Sequence, residues 1–407
     1  MKKIKKIGII GCGLRSDSYL FYLRENWAGN WALAALADPN PVARTIYREN
    51  NPITEDCRDF EDGPALLEAM RGKLDAVIIA SPNNLHTESI LPALEQKLIT
   101  LIEKPAVTSL ADAARIWNQA QRYPEARILI GFVLRYTAFY RQIKSLIDEG
   151  RIGKVLTIAA AEYLDPTLTS NYTRNWRRFD HLAGSFILEK CSHDLDILNM
   201  LAGATVKSVS SFAERTLFRP REDAAMHCSD CRYRSECLYS ADTLEPYYLN
   251  VGSKGYLTPL IPFDNDLCVF NSDKDTPDHQ VVNLAYNSGV TASFTVAMGQ
   301  PRTTRTIHIC GTNGQISGDI AADYLAIRPM KCDWERISIE HDDSPHHGGD
   351  SVITNEFTHL LSGAECKVSA DLRVGIEAIL PAIAAEESRH KNQIIDLNAM
   401  RLFMEGL

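Results

Sequence analysis

Ile7-Gly8-Ile9-Ile10-Gly11-Cys12-Gly13-Leu14-Arg15-Ser16 reads as a short buried strand, a glycine turn and the first residues of a helix. Gly11 permits a tight turn at the strand end. Gly13 lets the backbone of Cys12, Leu14 and Arg15 approach a pyrophosphate at the positive end of the helix. Ser16 stands where a third glycine is usual, and a Gly-x-Gly by itself fits many strand-turn-helix connections. The next apolar run sharpens the reading, because Ala34-Ala35-Leu36-Ala37-Asp38 ends in an acid close to the ~20-residue spacing of dinucleotide sites. A carboxylate there accepts from the adenosine ribose hydroxyls and repels a 2′-phosphate, which favours NAD over NADP. The competing role for Asp38 is to cap the turn Asp38-Pro39-Asn40-Pro41.

Outward from this turn, apolar runs at 7–10, 33–37, 76–80, 98–102 and 128–131 alternate with helical stretches. That alternation predicts an α/β fold with a parallel Rossmann sheet in a domain over residues 1–130. Beyond Gly131 a helix at 138–149 is followed by strand-like segments at 155–163, 206–213, 281–287, 290–297, 305–310 and 336–340. Turn clusters at Asn287-Ser288-Gly289 and Gly311-Thr312-Asn313-Gly314 separate several of them, so residues 131–407 are expected to form an α+β domain with a largely antiparallel open sheet. A polar stretch at 215–266 reads as an insertion. A helix at 371–391 is expected to pack back on a domain.

The 407 residues exceed what one core usually fills, and 45% hydrophobic with 23% charged residues describes a globular chain. A net charge of −9 without a long basic run excludes the electrostatic footprint of a nucleic-acid binder and points to small-molecule partners. No run of about 18 apolar residues is present, so no membrane span is expected. Only four apolar-run residues follow the basic start before Gly11, too few for a secretory core, so the expected location is cytoplasmic.

Past the second and later strands the chain reads Ala80-Ser81-Pro82-Asn83-Asn84-Leu85-His86 and Ile102-Glu103-Lys104-Pro105. Then come Arg135-Tyr136, Gly150-Arg151-Ile152-Gly153-Lys154-Val155, Trp176-Arg177 and Glu189-Lys190-Cys191-Ser192-His193-Asp194-Leu195-Asp196. In this order, and with the leading Gly-x-Gly, the segments resemble the Gfo/Idh/MocA oxidoreductase family over nearly the whole chain. The resemblance implies a cofactor site of Gly11, Cys12, Gly13, Leu14, Arg15, Asp38, Ser81, Pro82, Asn83, His86, Glu103 and Lys104. It implies catalysis by Lys104, His193 and Glu189, a sugar site lined by Arg135, Tyr136, Tyr163, Trp176, Arg177 and Asp196, and a cis peptide before Pro105. A buried lysine beside a cationic nicotinamide can exchange a proton near neutrality or simply hydrogen-bond the substrate hydroxyl. Glu189, His193 and Asp196 are spaced i, i+4, i+7 and share one helix face. Imidazole suits a base that takes the hydroxyl proton, since its reference pKa of about 6.5 keeps both forms accessible. Inositol dehydrogenases of the family commonly carry Asp where this chain has Glu189. His346-His347-Gly348-Gly349-Asp350 precedes a late helix, with Asp350 expected as its N-cap and one histidine reaching the cleft.

Cys228, Cys231 and Cys237 form Cys-x2-Cys-x5-Cys inside the insertion. The spacing admits a structural zinc whose fourth ligand is His227, Cys191 or Cys268, and equally admits reduced thiols. The activity expected is hydride transfer between NAD and a hydroxyl carbon of a sugar, cyclitol or derivative. An NAD-dependent glycosidase working through transient oxidation and elimination shares the same site. A non-catalytic dinucleotide sensor is the third reading. The resemblance also implies a homodimer or homotetramer built on the open sheet face.

Overall fold

The computed structural model describes residues 4–242, 264–339, 342, 344–364 and 367–406. Its first sheet contains β1 (Lys5–Ile10), β2 (Trp31–Ala37), β3 (Ile53–Phe60), β4 (Ala76–Ile79), β5 (Ile99–Ile102) and β6 (Ile128–Ile130), in the order β3-β2-β1-β4-β5-β6. All neighbouring pairs are parallel. Helices cover both faces of such a sheet, so most of its strands are apolar runs: β2, β4 and the edge strand β6 have every residue buried. The strand order reverses between β1 and β4. In open α/β sheets that break leaves a crevice beyond the carboxyl ends, where ligands gather.

One of these strands was not anticipated. The sequence of β3, Ile-Thr-Glu-Asp-Cys-Arg-Asp-Phe, leaves five of its eight residues exposed at the sheet edge, so it lacks the apolar run that marks the others.

The second sheet follows the order β14-β13-β12-β11-β7-β10-β9-β8-β15. Its strands are β7 (Val155–Tyr163), β8 (Val206–Glu214), β9 (His279–Tyr286), β10 (Thr291–Ala297), β11 (Thr304–Gly311), β12 (Gly314–Asp319), β13 (Tyr324–Pro329), β14 (Glu335–Arg336) and β15 (Ile395–Asp396). β7 and β10 pair in parallel and the other neighbours antiparallel, which gives the largely antiparallel open sheet expected. Of the strand expected at 336–340, whose last residue lies outside the described residues, only Arg336 falls in the two-residue β14, while β12, β13 and β15 were missed. Burial alternates along β9 and β10, as it does when only one face meets a core. On β7 and β8, Leu156 and Phe212 are exposed.

The helix Leu372–Lys391, capped by the side chain of Asp371, joins the two halves. It lies on β8 and on the helix Phe186–Ala202, and Gly375 sits against Ile130 of β6, where a Cβ would come within 2.9 Å. The helix therefore also touches the first sheet. The insertion expected at 215–266 falls partly outside the described residues, at 243–263. Its described part is anchored by Asp278, whose Oδ2 accepts from the backbone N–H groups of Thr216, Leu217 and Phe218 at 2.8, 2.6 and 2.9 Å. Among the described residues no helix is long and apolar enough to cross a membrane.

Candidate active site

The glycine turn closes β1 against β4. Gly11 has φ +90°, and a Cβ there would stand 2.5 Å from the Ala80 carbonyl oxygen. Gly13 precedes the helix Leu14–Trp27 and faces open space, with nothing within 4 Å of a Cβ position. That clearance, beside first-turn N–H groups that have no acceptor within the helix, fits a pyrophosphate. Ser16 does the work of the missing third glycine differently: its buried hydroxyl donates to Gly11 O at 2.5 Å and accepts from Gly13 N at 3.3 Å. Asp38 stands beside the same turn, accepting from Cys12 N at 2.9 Å and from Asn40 N at 2.8 Å. Asp38 thus caps its own turn and also holds the glycine loop.

At the ends of β4 and β5, His86 ties the two loops together. Its Nδ1 lies 2.9 Å from Pro105 O and its Nε2 2.9 Å from Ser81 O, so both ring nitrogens are committed to backbone. Asn83 donates to Ala183 O at 2.8 Å and links its loop, which begins at Pro82, to the second half. Both side chains therefore brace the loops. The Lys104–Pro105 peptide is cis. Arg15 is likewise engaged by protein: Nε donates to Glu103 at 2.8 Å and Nη2 to Asp350 at 2.8 Å, while Tyr19 also donates to Glu103. Asp350 is not the N-cap expected. Gly348, in the left-handed region, holds that position, and Asp350 is buried in the first turn of the helix Gly349–Ser362. Arg15→Met would leave two buried carboxylates short of their cation, so a loss of about 3–5 kcal/mol is expected. Urea denaturation measures it, and a loss below about 1 kcal/mol would mean that the clamp behaves like a surface pair.

Lys104 reaches across to the helix Phe186–Ala202, donating to Glu189 O at 2.5 Å and lying 3.6 Å from Glu189 Oε1. Burial lowers its amine below the ordinary 10.5, and Glu189 only partly restores it. Burial pushes the Glu189 carboxyl up, but Lys104 and Arg177 outweigh it and hold the group at about 2. Arg177 Nε donates to Glu189 Oε1 at 2.9 Å, and its guanidinium lies 4.6 Å from the Trp176 ring centre. One turn along the same face, His193 is buried, and its ring is pushed well below its ordinary value by burial and then by Lys104 and Arg305. Asp196 accepts from Arg135 at 2.6 Å, so two residues expected to bind substrate pair with one another. Tyr136 is buried, and Tyr163 is half-buried at the end of β7. The buried polar atoms of this region with no protein partner among the described residues include Ser81 Oγ, Tyr136 Oη, Glu189 Oε2, His193 Nδ1 and Asp196 Oδ1. Buried polar atoms are normally paired, and a cluster of exceptions is what a polar ligand would satisfy.

The zinc expectation does not fit. Among the described residues, the ligand atoms of Cys228, Cys231 and Cys237 do not come within 4.8 Å of one another as a set, whereas those of Glu162, Cys191 and Asp194 do. Cys228 Sγ accepts from the buried cation Arg174 at 3.4 Å, which places positive charge beside this thiol without a metal. The second group is no better placed to bind an ion, because Lys190 and Arg305 already neutralise it.

Residues 5–131 match the family described as "Oxidoreductase family, NAD-binding Rossmann fold", and residues 144–397 match "Oxidoreductase family, C-terminal alpha/beta domain". The chain is 24% identical to YteT of Bacillus subtilis (strain 168), covering 93% of this chain and 94% of that protein. It is 26% identical to an inositol 2-dehydrogenase of Corynebacterium glutamicum (strain R), over 51% of this chain and 57% of that enzyme. The fold superposes on levoglucosan dehydrogenase in complex with NADH and levoglucosan at 17% identity, with a TM-score of 0.70, covering 97% of this chain and 99% of that one. It also superposes on the WlbA dehydrogenase from Bordetella pertussis in complex with NADH and UDP-GlcNAcA, with a TM-score of 0.68 at 18% identity, covering 97% of this chain and 99% of that one. With a six-stranded Rossmann sheet, a mixed second sheet and both family segments in order, this chain belongs to the Gfo/Idh/MocA oxidoreductase family.

Proposed function

We propose that the protein transfers hydride between NAD and a hydroxyl carbon of a sugar, cyclitol or derivative. The observation that carries this reading is the set of unpaired buried atoms Glu189 Oε2, His193 Nδ1 and Asp196 Oδ1 on the helix face that Lys104 reaches. Carboxylate oxygens need donors, and a molecule carrying several hydroxyls supplies them at this spacing. The relatives and neighbours named inositol and levoglucosan dehydrogenases act on compounds of that class.

Bound NAD supplies the hydride acceptor. Leu14 and Arg15 offer it backbone N–H groups, those of Cys12 and Gly13 being taken by Asp38 and Ser16, and Asp38 offers a carboxylate for the ribose, which favours NAD over NADP. Lys104 holds the substrate oxygen by hydrogen bond or proton exchange. His193, kept neutral by burial and neighbouring cations, accepts the hydroxyl proton. Glu189, held ionised, fixes Lys104 and Arg177 and keeps one oxygen for a substrate hydroxyl.

The purified protein is expected to carry or bind NAD and to produce NADH absorbance with at least one member of a broad polyol and sugar panel. No NADH and no exchange of substrate hydrogen across that panel would remove the dehydrogenase reading. Cleavage of a nitrophenyl glycoside by NAD-loaded protein without net NADH would replace it with the glycosidase.

A further inference from the structure

We propose that His346, held by Asp350, relays to solvent the proton that His193 exchanges with the substrate hydroxyl. The relay rests on the dehydrogenase reading for its substrate. His193 is enclosed: it is 7% exposed and packs edge-on to Phe132 with ring centres 6.0 Å apart. Burial, and then Lys104, Arg305, His346 and Lys190, disfavour its imidazolium, so a proton taken up there has to move on. The His346 ring is the neighbouring acid–base group, with its centre 6.2 Å away and its side chain 32% exposed.

The pair His346–Asp350 is built to pass a proton. Nδ1 of His346 lies 2.8 Å from Asp350 Oδ2, and Asp350 Oδ1 accepts from Arg15 at 2.8 Å. Burial raises the Asp350 carboxyl, but Arg15 and His346 overcome this and hold it well below the usual carboxylate range. An ionised carboxylate only accepts, so Nδ1 carries the hydrogen and Nε2 presents its lone pair. The titratable and charged groups around His346 are Asp350, Arg15, Glu103 and His193. The backbone gives independent support. His346 (φ 54°, ψ 30°) and His347 (φ 48°, ψ 49°) are consecutive non-glycine residues in the left-handed region. Such strain collects where a side chain must stand in one place.

As hydride leaves the carbinol carbon for the nicotinamide dinucleotide, the hydroxyl proton passes to His193. From His193 it crosses one water to Nε2 of His346 and leaves to solvent, so both imidazoles return to neutral and the product is a carbonyl.

Histidine titrations in the 15N-labelled full-length protein test the pairing without turnover. His193 and His346 are expected to titrate as a coupled pair, and His346→Asn to shift the His193 titration upward. Asparagine is chosen because it tolerates the left-handed backbone. Independent titrations overturn the relay whatever the protein oxidises. With a polyol that reduces NAD, His346→Asn is expected to lower kcat roughly tenfold or more in dilute buffer. KM should stay unchanged, and added imidazole should restore the rate. Asp350→Asn, which keeps the ring but releases its tautomer, should show a smaller loss that imidazole also restores. An unchanged kcat, or a loss that imidazole leaves in place, overturns the relay. Coupled titration with no polyol oxidised instead marks failure of the dehydrogenase reading, and the relay falls with it.

Discussion

Lys104→Met is expected to lower kcat by roughly 10³-fold while leaving NAD affinity within a few-fold of the parent. From the carboxyl end of β5 the amine reaches the helix bearing Glu189 and His193, which places it to hold the proposed substrate oxygen. Methionine keeps the length and the apolar stem, and Glu189 retains Arg177 as a cation, which limits the damage to the fold. The pH profile gives a second signature. Burial lowers the Lys104 amine, so the parent's rate should bend at a pH below 10.5, where the amine changes charge, and the variant should lack that limb. Steady-state kinetics with any polyol that reduces NAD, together with NAD binding followed by fluorescence, measure both. A variant within about tenfold of the parent, or one that keeps the alkaline limb, would assign the proton chemistry elsewhere.

How much of this was legible in the sequence depends on how each residue does its work. The first sheet was readable because central parallel strands are apolar runs, and β3 escaped because an edge strand need not be. β12 escaped for a packing reason. Its Gly318 admits the ring of Phe139, which would come within 2.7 Å of a Cβ, so the strand carries glycines that look like a turn. Parallel pairing of β7 with β10 is a property of topology and leaves no mark in either strand.

In the candidate site, helical spacing puts Glu189 and His193 on one helix, and Lys104 reaches that helix from the end of β5. Partners distant in sequence were not found. Arg15 meets Asp350 from the far end of the chain, Arg135 meets Asp196, and His86 spends its ring on two carbonyls. Residue types on the correct loop do not say whether a side chain turns toward a ligand or toward its own backbone. The rule that reads an acid near a helix start as a cap failed at Asp350, because a left-handed Gly348 already ends the preceding turn and the acid is buried against a cation.

Gly11→Ala should damage both the fold and cofactor binding. A Cβ at this position would lie 2.5 Å from the Ala80 oxygen, 2.6 Å from the Ala80 carbon and 2.6 Å from the Ser81 nitrogen. All three are backbone atoms of the strand end beside β1, so no side-chain rotation relieves the collision. The φ of +90° adds strain for any residue with a Cβ. To make room, β1 must separate from the end of β4, and the same movement displaces both the glycine loop that faces the pyrophosphate and Ser81 at the cleft. We expect a destabilisation of about 3–5 kcal/mol, from overpacking and backbone strain together, and loss of NAD binding. Gly13→Ala is the informative control: its Cβ would meet no protein atom, so the fold should keep its stability while NAD affinity falls. Urea denaturation and NAD titration of the two variants separate the effects. If Gly11→Ala bound NAD normally, or Gly13→Ala bound it as well as the parent, this turn would not be the cofactor's seat.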